Sequence, residues 1–240
     1  MEYKLKSDVV DFRNRFGYNS IEPINFNSLL QRLDIITVFK PLSENFSGLS
    51  FKSKEDRFML VNCNHSVGRQ SFTIGHELYH LYYDKEFVPH ICQTGLFSKK
   101  NKNETMADIF ASHLLLPEDG IFRLIPEVEV GKDLITLATL LKIEQTYGSS
   151  RAALLKQLSK MDLVSKIFEE KYLLKVRFGA RQYGYSTDLY EKTEESAILG
   201  TYGSLANKLF QNNKISESLY QELMLSIGID VNELFTDEEH

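Results

Sequence analysis

The chain has 240 residues, with 28 basic and 33 acidic side chains and a formal net charge of -5. Its apolar fraction of 42% is ordinary for a chain that buries a core, so the composition excludes global disorder. The charge balance disfavours a dedicated nucleic-acid binder, because phosphate contacts need a basic surface, and no apolar run has the length of a membrane span. The first residues lack the apolar stretch of a signal peptide and two cysteines make no disulfide scaffold, so we expect a reduced, cytoplasmic protein.

The N-terminal third predicts helices and then strands. Apolar spacing indicates a weak helix over 8–16 and a short one over 26–33, and β-branched residues indicate a strand over 35–39. Two more strands are predicted over 48–51 and 57–62. The second of them is either an exposed edge that would hold an extended peptide near the functional site or an ordinary paired strand, and its sequence does not separate the two.

The rest of the chain is predicted to be mostly helical. The apolar pattern turns helical from Ser71, and a second helix is expected over about 103–116, stopped by Pro117. Two helices broken near 147–150 form either a helix-turn-helix or a pair that packs on the rest of the protein, and the acidic balance of the second half favours packing. The remaining predictions are an irregular segment over 85–102, a strand over 172–178 and a mostly helical tail from about 191.

The most informative pattern is an HExxH motif inside the helix that starts near Ser71. His76 and His80 are one helical turn apart, so both imidazoles project from one face and can reach one ion. Glu77 lies about 100° round the helix, where its carboxylate can reach a water on that ion as a general base. The pattern predicts a metal site with one catalytic glutamate.

A catalytic zinc usually has a third protein ligand, and several downstream residues are candidates. Asp84 continues the stripe of the two histidines but lies about 12 Å along the helix axis from His76, too far for a straight helix to bring it to the same ion. His90 has no helical phase with the pair. Glu104 opens the second helix and can reach the metal if that helix packs across the first. Asp108, one turn later, can then accept the other ring N–H of a ligand histidine.

Three segments together resemble the ImmA/IrrE family of metallo-endopeptidases. They are QSFTIGHELYH at 70–80, ETMADIFA at 104–111 and LLLP at 114–117. The resemblance implies that His76, His80 and Glu104 bind one zinc ion and that Glu77 is the catalytic glutamate. One departure is Tyr79, where the family usually has glycine, and we expect its ring to need space between helix and sheet.

The resemblance also implies a fold and a function. The fold expected is α+β, with a zincin-like core of a small sheet, the HExxH helix and a second ligand-bearing helix, followed by a mostly helical C-terminal half. Family members inactivate helix-turn-helix repressors, so the expected function is gluzincin-type cleavage of such a repressor, which would derepress a mobile element, prophage or stress response. The alternative is a non-enzymatic antirepressor whose metal is structural.

The expected division of the chain follows the motifs. Residues 1–122 would form the zinc peptidase domain, 123–162 a helical, helix-turn-helix-like segment, and 163–240 a mostly helical regulatory or docking region. The expected partner is a protein substrate, with no membrane contact and no direct DNA binding.

Overall fold

The computed structural model describes residues 2–54, 56–85, 102–193 and 196–231 and has an α+β fold. Two helices precede the sheet, and the helix that carries the HExxH motif follows its first three strands. In chain order these elements are α1 (Glu2–Arg15), α2 (Phe26–Arg32), β1 (Ile35–Lys40), β2 (Gly48–Lys52), β3 (Arg57–Asn62), α3 (Val67–Tyr82) and α4 (Lys102–Leu115). The second half is α5 (Glu118–Leu124), α6 (Leu137–Tyr147), α7 (Arg151–Lys160), α8 (Lys166–Tyr172), α9 (Val176–Gln182), β4 (Ala197–Leu199), α10 (Tyr202–Gln211) and α11 (Glu217–Leu225).

The sheet is mixed and has the strand order β2-β3-β1-β4. Strands β1 and β3 are parallel, whereas β2 pairs antiparallel with β3 and β4 pairs antiparallel with β1. Of the two alternatives for 57–62, the ordinary paired strand is therefore confirmed and the exposed edge is excluded, because β3 is paired on both sides. Strand β2 lies at the edge instead and packs against α3.

Local sequence signals set several helix ends. The side chains of Asn25, Thr136 and Ser150 cap α2, α6 and α7 by accepting from the backbone N–H three residues later. Helix α6 ends at Gly148, whose φ of 61° is left-handed and suits glycine. The break predicted near 147–150 is therefore confirmed as a helix end followed at once by a new cap.

Helices α6 and α7 pack onto the rest of the molecule. Leu140, Ile143, Leu154 and Leu158 belong to one hydrophobic core that begins at Leu5 and ends at Phe168. Helix α7 would be the recognition helix of a helix-turn-helix, yet most of its residues are buried or partly buried. This geometry matches the packing interpretation of the pair. The domain boundaries at 122 and 162 stay a prediction.

One prediction in the second half is wrong and another is confirmed with one addition. The strand expected over 172–178 is the end of α8, a turn at Lys175 with a left-handed φ of 53°, and the start of α9. The tail expected to be mostly helical from about 191 contains helices α10 and α11, as predicted, but it first forms the short strand β4, which pairs with β1. His90, Cys92 and most of the segment predicted to be irregular lie outside the described residues. No helix in the described ranges is both long and apolar enough to cross a membrane.

Candidate metal centre

The two histidines of the HExxH motif lie on the buried face of α3. His76 and His80 are almost inaccessible to solvent, and their Nε2 atoms are 3.3 Å apart. This short separation follows from the one-turn spacing that the sequence predicts. Both ring nitrogens therefore face the same small volume.

Glu104 reaches that volume from the first turn of α4. Its Oε2 atom is 3.3 Å from Nε2 of His76, and its Oε1 atom is 3.2 Å from Nε2 of His80. The ligand atoms of the three side chains all lie within 4.8 Å of one another. The structure thus brings together the three residues that the sequence predicts as ligands.

The approach of α3 to α4 depends on two small residues. A Cβ added at Gly75 would lie 3.2 Å from Cα and 3.3 Å from Cβ of Ala111. Such contacts are tighter than ordinary packing, so the glycine allows the two backbones to come close. Gly75 directly precedes His76 in the sequence. The close contact of the two helices at this point allows Glu104 to reach the histidines.

A carboxylate contacts the second nitrogen of each histidine. Nδ1 of His76 is 2.9 Å from Oδ1 of Asp108, and Nδ1 of His80 is 3.1 Å from Oδ2 of Asp84. Because an ionised carboxylate only accepts hydrogen bonds, Nδ1 of each ring donates to its carboxylate, and Nε2 of each ring faces the shared volume. Two ring nitrogens and a carboxylate that converge in a buried site favour a positive charge between them.

This donor set fits a zinc ion. Two imidazoles and one carboxylate are the ligands of a known class of catalytic zinc site, and carboxylates that orient ligand histidines are common there. Burial lowers the pKa of His76, but its hydrogen bonds to Asp108 and Glu104 and the charge of Glu77 outweigh burial and raise that pKa to about 10. The surroundings of the ring therefore favour a positive charge at this place.

Glu77 lies beside the ligand set and is fully buried. Neither of its carboxylate oxygens has a hydrogen-bond partner in the part of the chain that the structure describes. Gly48, the first residue of β2, packs against it, since an added Cβ would lie 3.0 Å from Oε1 of Glu77 and 2.6 Å from Cγ2 of Thr73. An ionised carboxylate is costly to bury without partners, so this group points to a site that takes a water or a substrate.

Sequence reasoning missed two contributors at the end of α3. From the sequence, Asp84 is considered only as a ligand, whereas in the structure its carboxylate contacts Nδ1 of His80. The i+4 spacing between the two residues is the sequence signal for this contact. Lys52, on β2, donates from Nζ to the carbonyls of His80, Leu81 and Asp84 at 3.1, 3.3 and 3.0 Å. No local pattern in the sequence indicates this contact, because it depends on how the strand lies against the helix.

Two further side chains, one on α3 and one on α4, take part in packing between helices. Tyr79 packs against Phe110 of α4 and stacks on Tyr83, so its ring lies between helices and not between helix and sheet as expected. His113, near the end of α4, has Nδ1 3.4 Å from Nε2 of Gln157 on α7 and 3.7 Å from Oε1 of Glu118 on α5. These contacts make it a residue of the helix interfaces.

Comparison with known proteins gives one family. The model of the peptidase M78 family, described as the IrrE N-terminal-like domain, matches residues 30–159. That range is more than half of the chain and includes all four residues of the HExxH and Glu104 constellation. No curated protein matches the chain. With this match and the geometry of the site, the chain belongs to the ImmA/IrrE family of peptidases.

Proposed function

We propose that the protein is a gluzincin-type endopeptidase with one zinc ion on His76, His80 and Glu104. The observation that carries this proposal is the unpartnered carboxylate of Glu77 beside three converging ligand atoms. A metal site that only stabilises the fold does not require an unpartnered carboxylate beside the ligands, whereas a hydrolytic metal site requires a general base there. Zinc supplies Lewis acidity, which raises the acidity of water and polarises a carbonyl.

The residues of the chain perform the proton transfers and hold the substrate. Glu77 accepts a proton from the attacking water at a carboxylate oxygen and passes it to the nitrogen of the leaving amine. Asp108 and Asp84 keep the protons of His76 and His80 on Nδ1. The edge strand β2 runs past Glu77 at Gly48, and its edge position suits it to pair with an extended peptide.

The proposed substrate is a helix-turn-helix repressor, whose cleavage releases the genes of a mobile element, a prophage or a stress response. This assignment rests on the family resemblance and on the acidic balance of the chain, which suits action on DNA-bound regulation through a protein partner. The compartment proposed is the cytoplasm, where such repressors act.

The test uses the repressor that is encoded beside the gene. The purified protein, its Glu77→Gln variant and the exposed-site control Glu170→Gln are each incubated with that repressor and zinc, and the products are identified by intact mass spectrometry. We expect defined fragments with the wild type and the control and intact repressor with Glu77→Gln. If wild type and Glu77→Gln both leave the repressor intact and both still relieve repression, the protein is a non-enzymatic antirepressor.

A further inference from the structure

Asp84 joins the ends of the two helices that carry the candidate ligands. It lies two residues beyond α3, is 7% exposed, and gives its two carboxylate oxygens to different helices. Oδ2 is 3.1 Å from Nδ1 of His80, and Oδ1 accepts a hydrogen bond of 3.3 Å from Nδ2 of Asn103. Asn103 directly precedes Glu104 in the first turn of α4. We propose that Asp84 is a positioning residue that holds His80 and the start of α4 in one arrangement, so that His80 and Glu104 meet at one cation.

The first half of this role concerns the proton on His80. Because the carboxylate of Asp84 accepts at Nδ1, the Nε2 atom of His80 is left with its lone pair directed at Glu104 and His76. An amide in place of the carboxylate can donate to Nδ1, which moves the ring proton to Nε2. That tautomer turns an N–H into the place where a metal ligand is required.

The second half concerns the start of α4. The first turn of a helix has free backbone N–H groups and few constraints, so a side chain there needs a tie to keep one position. The bond from Asn103 to Asp84 provides this tie one residue from Glu104. Movement of α4 away from α3 would break this bond. The carboxylate of Asp84 therefore links the two helices.

A lysine on the edge strand β2 also binds the backbone at the end of α3. Nζ of Lys52 bonds to the carbonyl oxygens of His80 and Asp84, the two residues whose side chains face each other. A cation at a helix C-terminus is favourable, because the last carbonyls have no partners within the helix. The edge strand, the end of α3 and the start of α4 therefore meet at Asp84.

The experiment measures metal binding, so it rests on the proposed metal site but not on proteolysis. Zinc affinity is determined by competition with a chromophoric chelator, and coordination is followed by the absorption spectrum of the Co²⁺ form. The variants are Asp84→Asn, which removes the negative charge at His80 and replaces one acceptor oxygen by an amide donor, Asn103→Ala, which cuts only the link to α4, and Asp56→Asn as a charge-matched control in the exposed turn between β2 and β3. Circular dichroism reports the folding of each variant.

We expect Asp84→Asn to lower zinc affinity about 10- to 100-fold, the range for groups that orient ligand histidines, and to change the Co²⁺ spectrum. Asn103→Ala is expected to lower affinity less, and Asp56→Asn to match wild type. Wild-type affinity and spectrum in folded Asp84→Asn overturn the proposal. If Asp84→Asn does not fold, Asn103→Ala decides: unchanged affinity overturns the proposal and reduced affinity supports it. A chain that binds zinc in this pattern but cleaves nothing supports the positioning role and contradicts the peptidase.

Discussion

At the scale of single residues, the position of the Glu77 carboxylate depends on the glycine at the start of β2. Gly48 leaves the room that Glu77 and Thr73 occupy, and an added methyl group would lie 2.6 Å from Thr73 and 3.0 Å from Glu77. The methyl group and the carboxylate cannot both keep their places. A displacement of the proposed base by a fraction of an ångström would remove its geometry for proton transfer, whereas the proposed metal ligands would keep their positions.

We therefore predict that Gly48→Ala lowers kcat/KM by about 100-fold, the scale of the effect of a 1 Å misplacement. Zinc affinity should remain close to that of wild type, because the nearest neighbours of the new methyl group are Thr73 and Glu77. The matched control is Gly179→Ala, whose methyl group would make an ordinary 3.4 Å contact with Leu137. Equal losses of activity and of zinc affinity in Gly48→Ala would show that the whole centre had moved.

A second residue, His65, makes folding sensitive to acid away from the metal centre. Its ring is buried, Nε2 is 3.0 Å from the carbonyl oxygen of Glu44, and Nδ1 has no hydrogen-bond partner among the described residues. Burial lowers its pKa below 6.5, the backbone contact with Glu44 raises it, and the charge of Arg69 lowers it further. The folded protein therefore holds the neutral ring, with the proton on Nε2 facing the carbonyl.

The pKa of His65 in the folded state lies below its value in the unfolded state. As the pH falls through about 6.5, the unfolded state therefore binds more protons than the folded state. We predict that the free energy of unfolding of the zinc-loaded protein falls as pH decreases below about 6.5. His65→Gln retains an N–H for the carbonyl of Glu44 and removes the titration, so its slope should be shallower by at most about 1.4 kcal/mol per pH unit. Urea unfolding between about pH 5 and about pH 7.5 measures both slopes. Identical slopes would exclude His65 as the source.

At the scale of elements, the contact between α3 and α4 sets the distance from the histidines to Glu104. Gly75 allows Ala111 to approach so closely that even a methyl group meets a backbone atom, and backbone cannot rotate away as a long side chain does. The proposed metal ligands and this contact lie on the same pair of helices. Packing between the helices is therefore coupled to the geometry of the site.

Gly75→Ala is expected to destabilise the protein by about 1–3 kcal/mol, the usual cost of overpacking, and to lower zinc affinity by moving Glu104 away from the histidines. The second variant, Gly75→Ala with Ala111→Gly, removes the opposing methyl group and should recover part of both losses. Thermal unfolding and chelator competition give the two quantities. Failure of Ala111→Gly to recover either one would place the cause of the loss elsewhere.

The sequence predicts the parts of this site that depend on local spacing. The one-turn separation of His76 and His80 and the second helix that starts near Glu104 both appear in the structure, because helical periodicity fixes such relations within an element. Strand order is non-local, so nothing within 57–62 indicates that β3 lies inside the sheet. The apolar residues between Tyr172 and Phe178 suggested a strand, whereas the chain there turns between two short helices at Lys175.

At the scale of the whole molecule, a buried ion pair ties the later segments to the core. Arg151 of α7 forms two bonds to the carboxylate of Glu144 on α6, and Tyr190 donates to the same carboxylate at 2.7 Å. Arg151 also donates to the backbone carbonyl of Tyr172 at the end of α8. Burial raises the pKa of Glu144, and the contacts with Arg151 and Tyr190 oppose that rise. The segment up to about residue 190 is thus attached through groups that would be costly to leave unpaired.

The final helices have a core of their own, which predicts where the chain can be shortened. Ala206, Met224 and Val231 form a small cluster separate from the main core, and strand β4 precedes them. We predict that a chain ending at residue 200 keeps β4, unfolds cooperatively and binds zinc as the full chain does. A chain ending at residue 122 should not fold cooperatively, because it lacks the core residues that α6 and α7 supply. Urea unfolding and chelator competition on the three lengths provide the measurement. Loss of zinc binding in the 200-residue chain would show that α10 and α11 support the metal centre, and cooperative folding of the 122-residue chain would show that the peptidase core is complete before α6.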